Sequence, residues 1–290
     1  MSQNEYFSKN VLITCQDNRE IAATLYQGEI NSQGQLIVIN SALGVKQNYY
    51  CELAKFLTSN GYSVLTWDPR GIGLSSKTIA KDDDGRLRDW GQLDLTAVLN
   101  FVVDNKLAKW PDIKIIGHSA GGHLVGLSPE IGKIRNMVFI CSGSCYWRLY
   151  PKRQWVKLLS LWYLIVPLVI KTLGYAPGKL GIGHDLPKGI ALDWRNWSIN
   201  PEYLFDDPSI SEHFYDKYEG KLSALGFTDD VGFSPPKTIE HLVQQFTNAN
   251  VSIDIYHPTE LNQKKIGHFG FFKKHHKHHW QETLLALLDK

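Results

Sequence analysis

Gly117-His118-Ser119-Ala120-Gly121 places a serine at the centre of a G-x-S-x-G pattern, directly after the apolar run 113–116. Gly122-His123-Leu124-Val125-Gly126, which follows, reads as the start of a helix. Strand, sharp turn and helix in that order hold a central serine in a strained backbone conformation with its hydroxyl exposed above a sheet. The glycines on either side fit this geometry, because a side chain at either place would crowd the crossing of strand and helix. Ser119 is the candidate nucleophile. A serine hydroxyl is a weak nucleophile at neutral pH and needs an adjacent base that a carboxylate orients. Both lie downstream, in Gly226-Phe227-Thr228-Asp229-Asp230 and in Ile266-Gly267-His268-Phe269-Gly270. His268 is preferred over His257 as the base. Gly267 and Gly270 give its loop freedom to bend back over a sheet, whereas His257 stands at a strand end before Pro258. An oxyanion would need two backbone N–H groups, one from the residue after the nucleophile and one from an earlier strand-to-helix loop. Ala120 supplies the first. Asn40-Ser41-Ala42-Leu43-Gly44 is the loop, with Ala42 preferred as second donor and Leu43 next, although the usual His-Gly pair is missing.

The elements that must position these groups alternate in type. Residues 11–15 and 21–26 read as an opening hairpin, 36–40, 62–67, 113–116, 137–141, 222–227 and 251–256 as buried strands, and 49–57, 89–103, 236–246 and 280–288 as helices. Continuous apolar strands alternating with helices predict an α/β fold with a mostly parallel central sheet flanked by helices. Residues 142–218 break the rhythm. That segment is rich in Trp, Tyr and Pro and far longer than an ordinary connection, so it is expected to form an inserted helical cap. The expected organisation is a single domain over 1–290, with core 1–141 and 219–290 and a cap at about 142–218.

Composition narrows the function classes. With 43% hydrophobic and 21% charged residues and a net charge of +2, the chain reads as an ordinary soluble protein with no electrostatic case for nucleic acid. Cys15, Cys51, Cys141 and Cys145 form no C-x-x-C pair and read as free thiols in a reducing compartment. Residues 1–6 show no basic segment followed by an apolar one, so a cytoplasmic address is expected. The apolar stretch 158–170 is shorter than the roughly 20 residues a bilayer needs and contains Pro167, so no transmembrane segment is expected. Pro167 is expected to break that stretch into two arms. His275-His276-Lys277-His278-His279 has no carboxylate or thiolate beside it in sequence and reads as a solvated basic face, with no metal site.

The stretch Asp68-Pro69-Arg70-Gly71-Ile72-Gly73-Leu74-Ser75 does not complete a dinucleotide fingerprint: Ser76 takes the sixth place of G-x-G-x-x-G and no helix opens there. As D-x-R-G-x-G-x-S it is similar to the structural turn after the fourth strand of α/β hydrolases. The order serine, acid, histidine is also that of this superfamily. Together with the elbow, residues 226–236 and residues 266–272, these features resemble the α/β-hydrolase superfamily over nearly the whole chain. Residues 62–75, Asp185-Leu186-Pro187, residues 194–197 and Gly267-His268-Phe269-Gly270-Phe271-Phe272 resemble a bacterial group near its serine aminopeptidase and monoglyceride lipase-like branch. Asp229 stands three residues after Gly226, which resembles the G-x-x-D turn found at this point in many α/β hydrolases, so Asp229 is preferred over Asp230 as the acid.

The resemblance implies a cofactor-independent serine hydrolase acting on a small-molecule acyl ester through Ser119, Asp229 and His268. Aminopeptidase action is one alternative, with Asp193, Glu202, Asp206 and Asp207 as cap acids that could hold a free amine. Acyl transfer on the same residues and a non-catalytic binding protein on the same scaffold are the others. Residues 158–170, with Trp155 and Trp162, are expected to line or cover the acyl site. The oligomeric state is not legible in the sequence.

Overall fold

The computed structural model describes residues 6–28, 34–181 and 183–289. The N-terminal segment read above for a targeting signal therefore lies, but for Tyr6, outside the described residues. The chain opens with an antiparallel hairpin of β1 (Tyr6–Thr14) and β2 (Glu20–Gly28). After it come β3 (Leu36–Asn40), β4 (Ser63–Trp67), β5 (Ile113–His118) and β6 (Asn136–Ile140), every residue of which is buried. Two short cap strands, β7 (Tyr175–Ala176) and β8 (Leu186–Pro187), pair with each other. The main sheet resumes with β9 (Lys221–Phe227) and β10 (Asn250–Tyr256). Its eight strands run in the order β1-β2-β4-β3-β5-β6-β9-β10, parallel from β4 through β10.

The strands are apolar throughout because both faces of the sheet are covered. On one face Ile37, Ile39, Val64 and Ile116 pack against α1 (Cys51–Ser59) and the closing helix. On the other, Leu36, Val38, Ile115 and Phe139 pack with α2 (Thr96–Asp104) and α7 (Pro236–Val243). The expected elements all form, several with changed lengths: β1 begins at Tyr6 and α7 ends at Val243. The helix after Ser119 is a single turn, α3 (Ala120–His123), followed by a 3-10 turn at Val125–Leu127. The closing helix combines α9 (Lys277–His279), a π-helical turn at Trp280–Leu284 and α10 (Leu285–Leu288).

Between β6 and β9 the chain builds the cap. Here α4 (Lys152–Ser160), a π-helical turn at Leu161–Ile165 and α5 (Val166–Leu173) form one uninterrupted helix, followed by α6 (Lys188–Ile199). Pro167 does not break that helix, contrary to the sequence expectation. It falls directly after the wider π turn, where the hydrogen-bond ladder is already shifted and a missing N–H is tolerated. The helix Lys152–Leu173 is 22 residues long, so by length and composition it could cross a bilayer. Its inward residues Leu158, Trp162, Val166 and Ile170 instead join Ile115 and Phe139 in one continuous buried cluster.

The D-x-R-G-x-G-x-S turn is a buried polar hub. Asp68 accepts hydrogen bonds from the backbone N–H groups of Gln47 (2.7 Å) and Leu74 (2.9 Å), while the Ser75 hydroxyl accepts one from the Ala22 N–H (2.8 Å). Arg70, almost fully buried, lies 2.7 Å from the fully buried Asp94 and also reaches Asp17 and Asp89. Removing one partner of such a pair leaves an uncompensated buried charge. Arg70→Met should therefore lower the unfolding free energy by about 3–5 kcal/mol in urea titration, while Lys77→Met, at the exposed pair with Glu20, should change it by less than about 1 kcal/mol.

Candidate active site

β5 ends at the elbow. Ser119 has φ 52° and ψ −119°, a backbone conformation that side chains rarely adopt. The surrounding packing enforces it. A Cβ on Gly117 would come within 2.6 Å of Gly122 Cα, and one on Gly121 within 2.3 Å of the Asn40 carbonyl oxygen, so the turn closes only with glycine at both places. The Asn40 side-chain amide donates to the Gly121 carbonyl (3.1 Å), tying the end of β3 to the turn beside it.

His268 stands at the start of α8 (Gly267–Gly270), in the loop after β10. Its Nδ1 lies 2.6 Å from Asp230 Oδ2, with both side chains almost fully buried. The carboxylate on His268 is thus Asp230 and not Asp229, which corrects the sequence assignment. The turn after β9 explains it: the Asp230 N–H bonds back to the Phe227 carbonyl (3.0 Å), which turns the Asp230 side chain inward. Asp229 instead accepts the backbone N–H groups of Ile266 (2.9 Å) and Gly267 (2.9 Å), anchoring the loop that carries the histidine. Phe233 stacks on the His268 ring at 4.6 Å. His257 is remote in role: exposed, it caps the short turn Pro258–Leu261.

The two candidates for a second oxyanion donor differ in their hydrogen bonding. The Ala42 N–H donates to the Tyr50 hydroxyl (2.9 Å) and is engaged. The Leu43 N–H has no hydrogen-bond partner among the described residues, and Leu43 lines the same cavity as Ala120, whose N–H opens α3. Tyr50 in turn meets His118 Nδ1 at 2.8 Å, and His118 Nε2 lies 2.9 Å from the His268 carbonyl oxygen. A carbonyl can only accept, so Nε2 carries the proton, Nδ1 accepts from Tyr50, and the Tyr50 oxygen accepts from Ala42. Burial holds His118 well below its ordinary pKa, in keeping with this neutral ring. One hydrogen-bond chain therefore links the loop after β3 to the main chain of His268. Neither Tyr50 nor the chain itself was legible in sequence; the only signal was a histidine inside the elbow motif.

Ser119, Ala120, Leu43 and His268 line one cavity of about 250 Å³ beneath the cap. Leu158, Leu161, Trp162, Val166 and Val169 line it from the cap helix, as does Trp194 from α6. Trp155, expected there, packs on Trp147 at 5.2 Å and donates to the Tyr150 carbonyl. None of the four cap acids lines the cavity: Asp193 is buried against Arg86 and the Leu87 N–H, Asp206 accepts from Asn200, Asp207 accepts from Trp197 and Ser209, and Glu202 is exposed.

Cys141, Asp230 and His268 bring ligand atoms within 4.8 Å of one another, the one group of this kind among the described residues. Burial and the Asp230 charge push the Cys141 thiol well up, which keeps it protonated and a poor metal ligand. The histidine run is only half as expected. His275 and His278 are exposed, but His276 and His279 are buried against the fold.

The sequence over residues 31–217 matches the Hydrolase_4 family, described as serine aminopeptidase, S33. The match includes the elbow and most of the cap, and the chain belongs to this family of hydrolases with the α/β-hydrolase fold. Among solved structures it is similar to an esterase of Pyrococcus furiosus, at 16% identity and a TM-score of 0.63 over 98% of this chain and 91% of that one. It is likewise similar to an esterase of Exiguobacterium antarcticum, at 15% identity and a TM-score of 0.61 over 97% and 100% of the two chains. A soluble variant of monoglyceride lipase of Saccharomyces cerevisiae in complex with a substrate analogue matches at 16% identity and a TM-score of 0.62, over 89% and 86%. At these identities the likeness is one of fold. No curated protein matches the chain significantly.

In the wall of the same cavity, His123 is buried with its Nδ1 2.6 Å from the Tyr203 hydroxyl, and burial lowers its pKa from 6.5 to about 3. The unfolded chain thus binds this proton more tightly than the folded one, so the stability is present above pH 6.5 and lost as pH falls towards 3. Urea unfolding should show that decline. His123→Asn, which keeps an acceptor for Tyr203 but cannot titrate, should make it shallower.

Proposed function

We propose that the protein is a serine hydrolase of carboxylic esters with an apolar acyl group. The observation that carries this reading is the buried Asp230–His268 contact at 2.6 Å in the wall of the cavity that also holds the strained Ser119. In this mechanism Asp230 fixes the His268 tautomer by accepting from Nδ1–H, which leaves Nε2 as the base. His268 takes the Ser119 proton as the hydroxyl oxygen attacks the acyl carbonyl. The resulting oxyanion is held by the N–H groups of Ala120 and Leu43. His268 then gives its proton to the leaving alcohol, and water, deprotonated by the same ring, releases the acid. Each step is carried by side-chain and backbone groups of the chain.

The cavity lining favours an ester over an aminoacyl substrate. A free ammonium group needs a carboxylate within reach, yet the only charged lining side chain besides histidine is Lys157, among the described residues. The cap walls are aliphatic and aromatic, which suits an acyl chain.

Ser119 should be the sole site labelled by a fluorophosphonate probe, and peptide mapping checks it. Labelling that survives in Ser119→Ala, or none in the folded wild type, would remove the reading. Asp230→Asn should lower kcat by about four orders of magnitude. Asp229→Asn keeps one acceptor oxygen for the loop and should cost far less; the reverse order would return the acid to Asp229.

Each methylene buried against the cap helix contributes up to about 0.8 kcal/mol. Accordingly kcat/KM should rise from acetyl through butyryl to hexanoyl esters. A flat series, with substrate solubility controlled, would show that the helix is cap core and not a substrate wall.

A further inference from the structure

The cap helix Lys152–Leu173 has two apolar faces, and the mechanism uses one. Leu158, Trp162, Val166 and Ile170 turn inward. Val156 (77% exposed), Tyr163, Leu164 (67%), Ile165, Leu168 (61%) and Leu173 turn outward and are uncovered. An apolar ridge of this kind on a monomer marks a contact surface.

The charge around the ridge indicates what covers it. Residues 131–184 contain no Asp or Glu, although the whole chain is close to neutral at +2. Arg148, Lys152, Arg153, Lys171 and Lys179 are exposed at or beside the helix ends, Lys157 is exposed further along the helix at the cavity, and none is in a salt bridge among the described residues. A second copy docking through the same face by two-fold symmetry would press these cations against their own duplicates. An apolar ridge with a basic collar, on a stretch of chain that itself carries no acid, suits an interface of hydrocarbon below and negative headgroups above.

We propose that this outer face docks the protein on an anionic lipid bilayer, the helix lying in the interface plane. Its inner face belongs to the buried cluster that includes sheet residues Ile115 and Phe139, so insertion across the bilayer would expose that core. Leu180 (53% exposed) and Phe233 (43%) line the cavity and also face solvent, which puts an apolar rim at its opening. On the ester-hydrolase reading above, an acyl chain leaving the lipid phase enters between cap and sheet without crossing water. The docking itself does not depend on that reading.

Sedimentation with phosphatidylcholine vesicles containing roughly 30% phosphatidylglycerol tests the proposal against pure phosphatidylcholine vesicles. The wild type and Ser119→Ala should both bind the anionic vesicles, more weakly at 0.5 M salt by screening, and bind the neutral vesicles less. The double variant Leu164→Glu, Leu168→Glu, changed only at exposed positions outside the cavity lining, should bind about two orders of magnitude more weakly. It should keep the wild-type circular dichroism spectrum and its turnover of a water-soluble short ester. No binding by the wild type, equal binding to neutral vesicles, or full binding by the folded double variant would each overturn the proposal. A wild-type dimer on gel filtration that the double variant splits, without vesicle binding, would assign the ridge to a second copy. Vesicle binding without ester turnover would leave the docking standing and remove the hydrolase reading alone.

Discussion

The structure of the site depends on how closely β5 and the turn after it approach the end of β3. Gly117 and Gly121 allow backbone to meet backbone where any Cβ would collide with Gly122 or Asn40. That approach forces Ser119 to a positive φ and lifts its side chain out of the sheet. It also sets the first N–H of α3 facing the same cavity as the loop after β3. The backbone of Ser119 and the placement of both candidate oxyanion donors are therefore consequences of one steric constraint. The strain is held by a fully buried neighbourhood and by the Asn40–Gly121 hydrogen bond.

The same crossing sends His118 beneath the sheet end, where its two ring nitrogens span Tyr50 and the His268 carbonyl. In a low-dielectric interior such a fully satisfied polar chain is directional and rigid. It fixes the loop after β3 and the backbone of His268 relative to each other. Asp229 acts alongside it by gripping the N–H groups of Ile266 and Gly267. Two adjacent aspartates thus divide the work, one holding the loop and the other the imidazole.

The cap reconciles a strongly apolar segment with a folded exterior by giving its helix two surfaces of different use. The π turn at Leu161–Ile165 admits Pro167 without a break, so one helix of 22 residues can cover the cavity along its length. Its inner side chains complete a core shared with the sheet, and the outer ones remain an apolar ridge in a basic setting.

The sequence by itself determined the alternating strands and helices, the position of the insertion, the elbow with Ser119 and the loop with His268. These are local properties: apolar periodicity follows from which faces are covered, and glycine spacing from where the backbone must approach itself. Only the tertiary structure decided between Asp229 and Asp230, because two adjacent side chains leave a turn in opposite directions and the Asp230–Phe227 hydrogen bond selects which one faces His268. It likewise distinguished the N–H groups of Ala42 and Leu43. A backbone N–H is a free donor only if nothing else claims it, and the Tyr50 hydroxyl that claims Ala42 arrives from outside the loop. The burial of His276 and His279 within a run that reads as uniformly polar has the same origin, since the helix face turned to the core is set by packing. Direction and competition between hydrogen-bond partners are properties of three-dimensional neighbours, and residue types in a line do not encode them one by one.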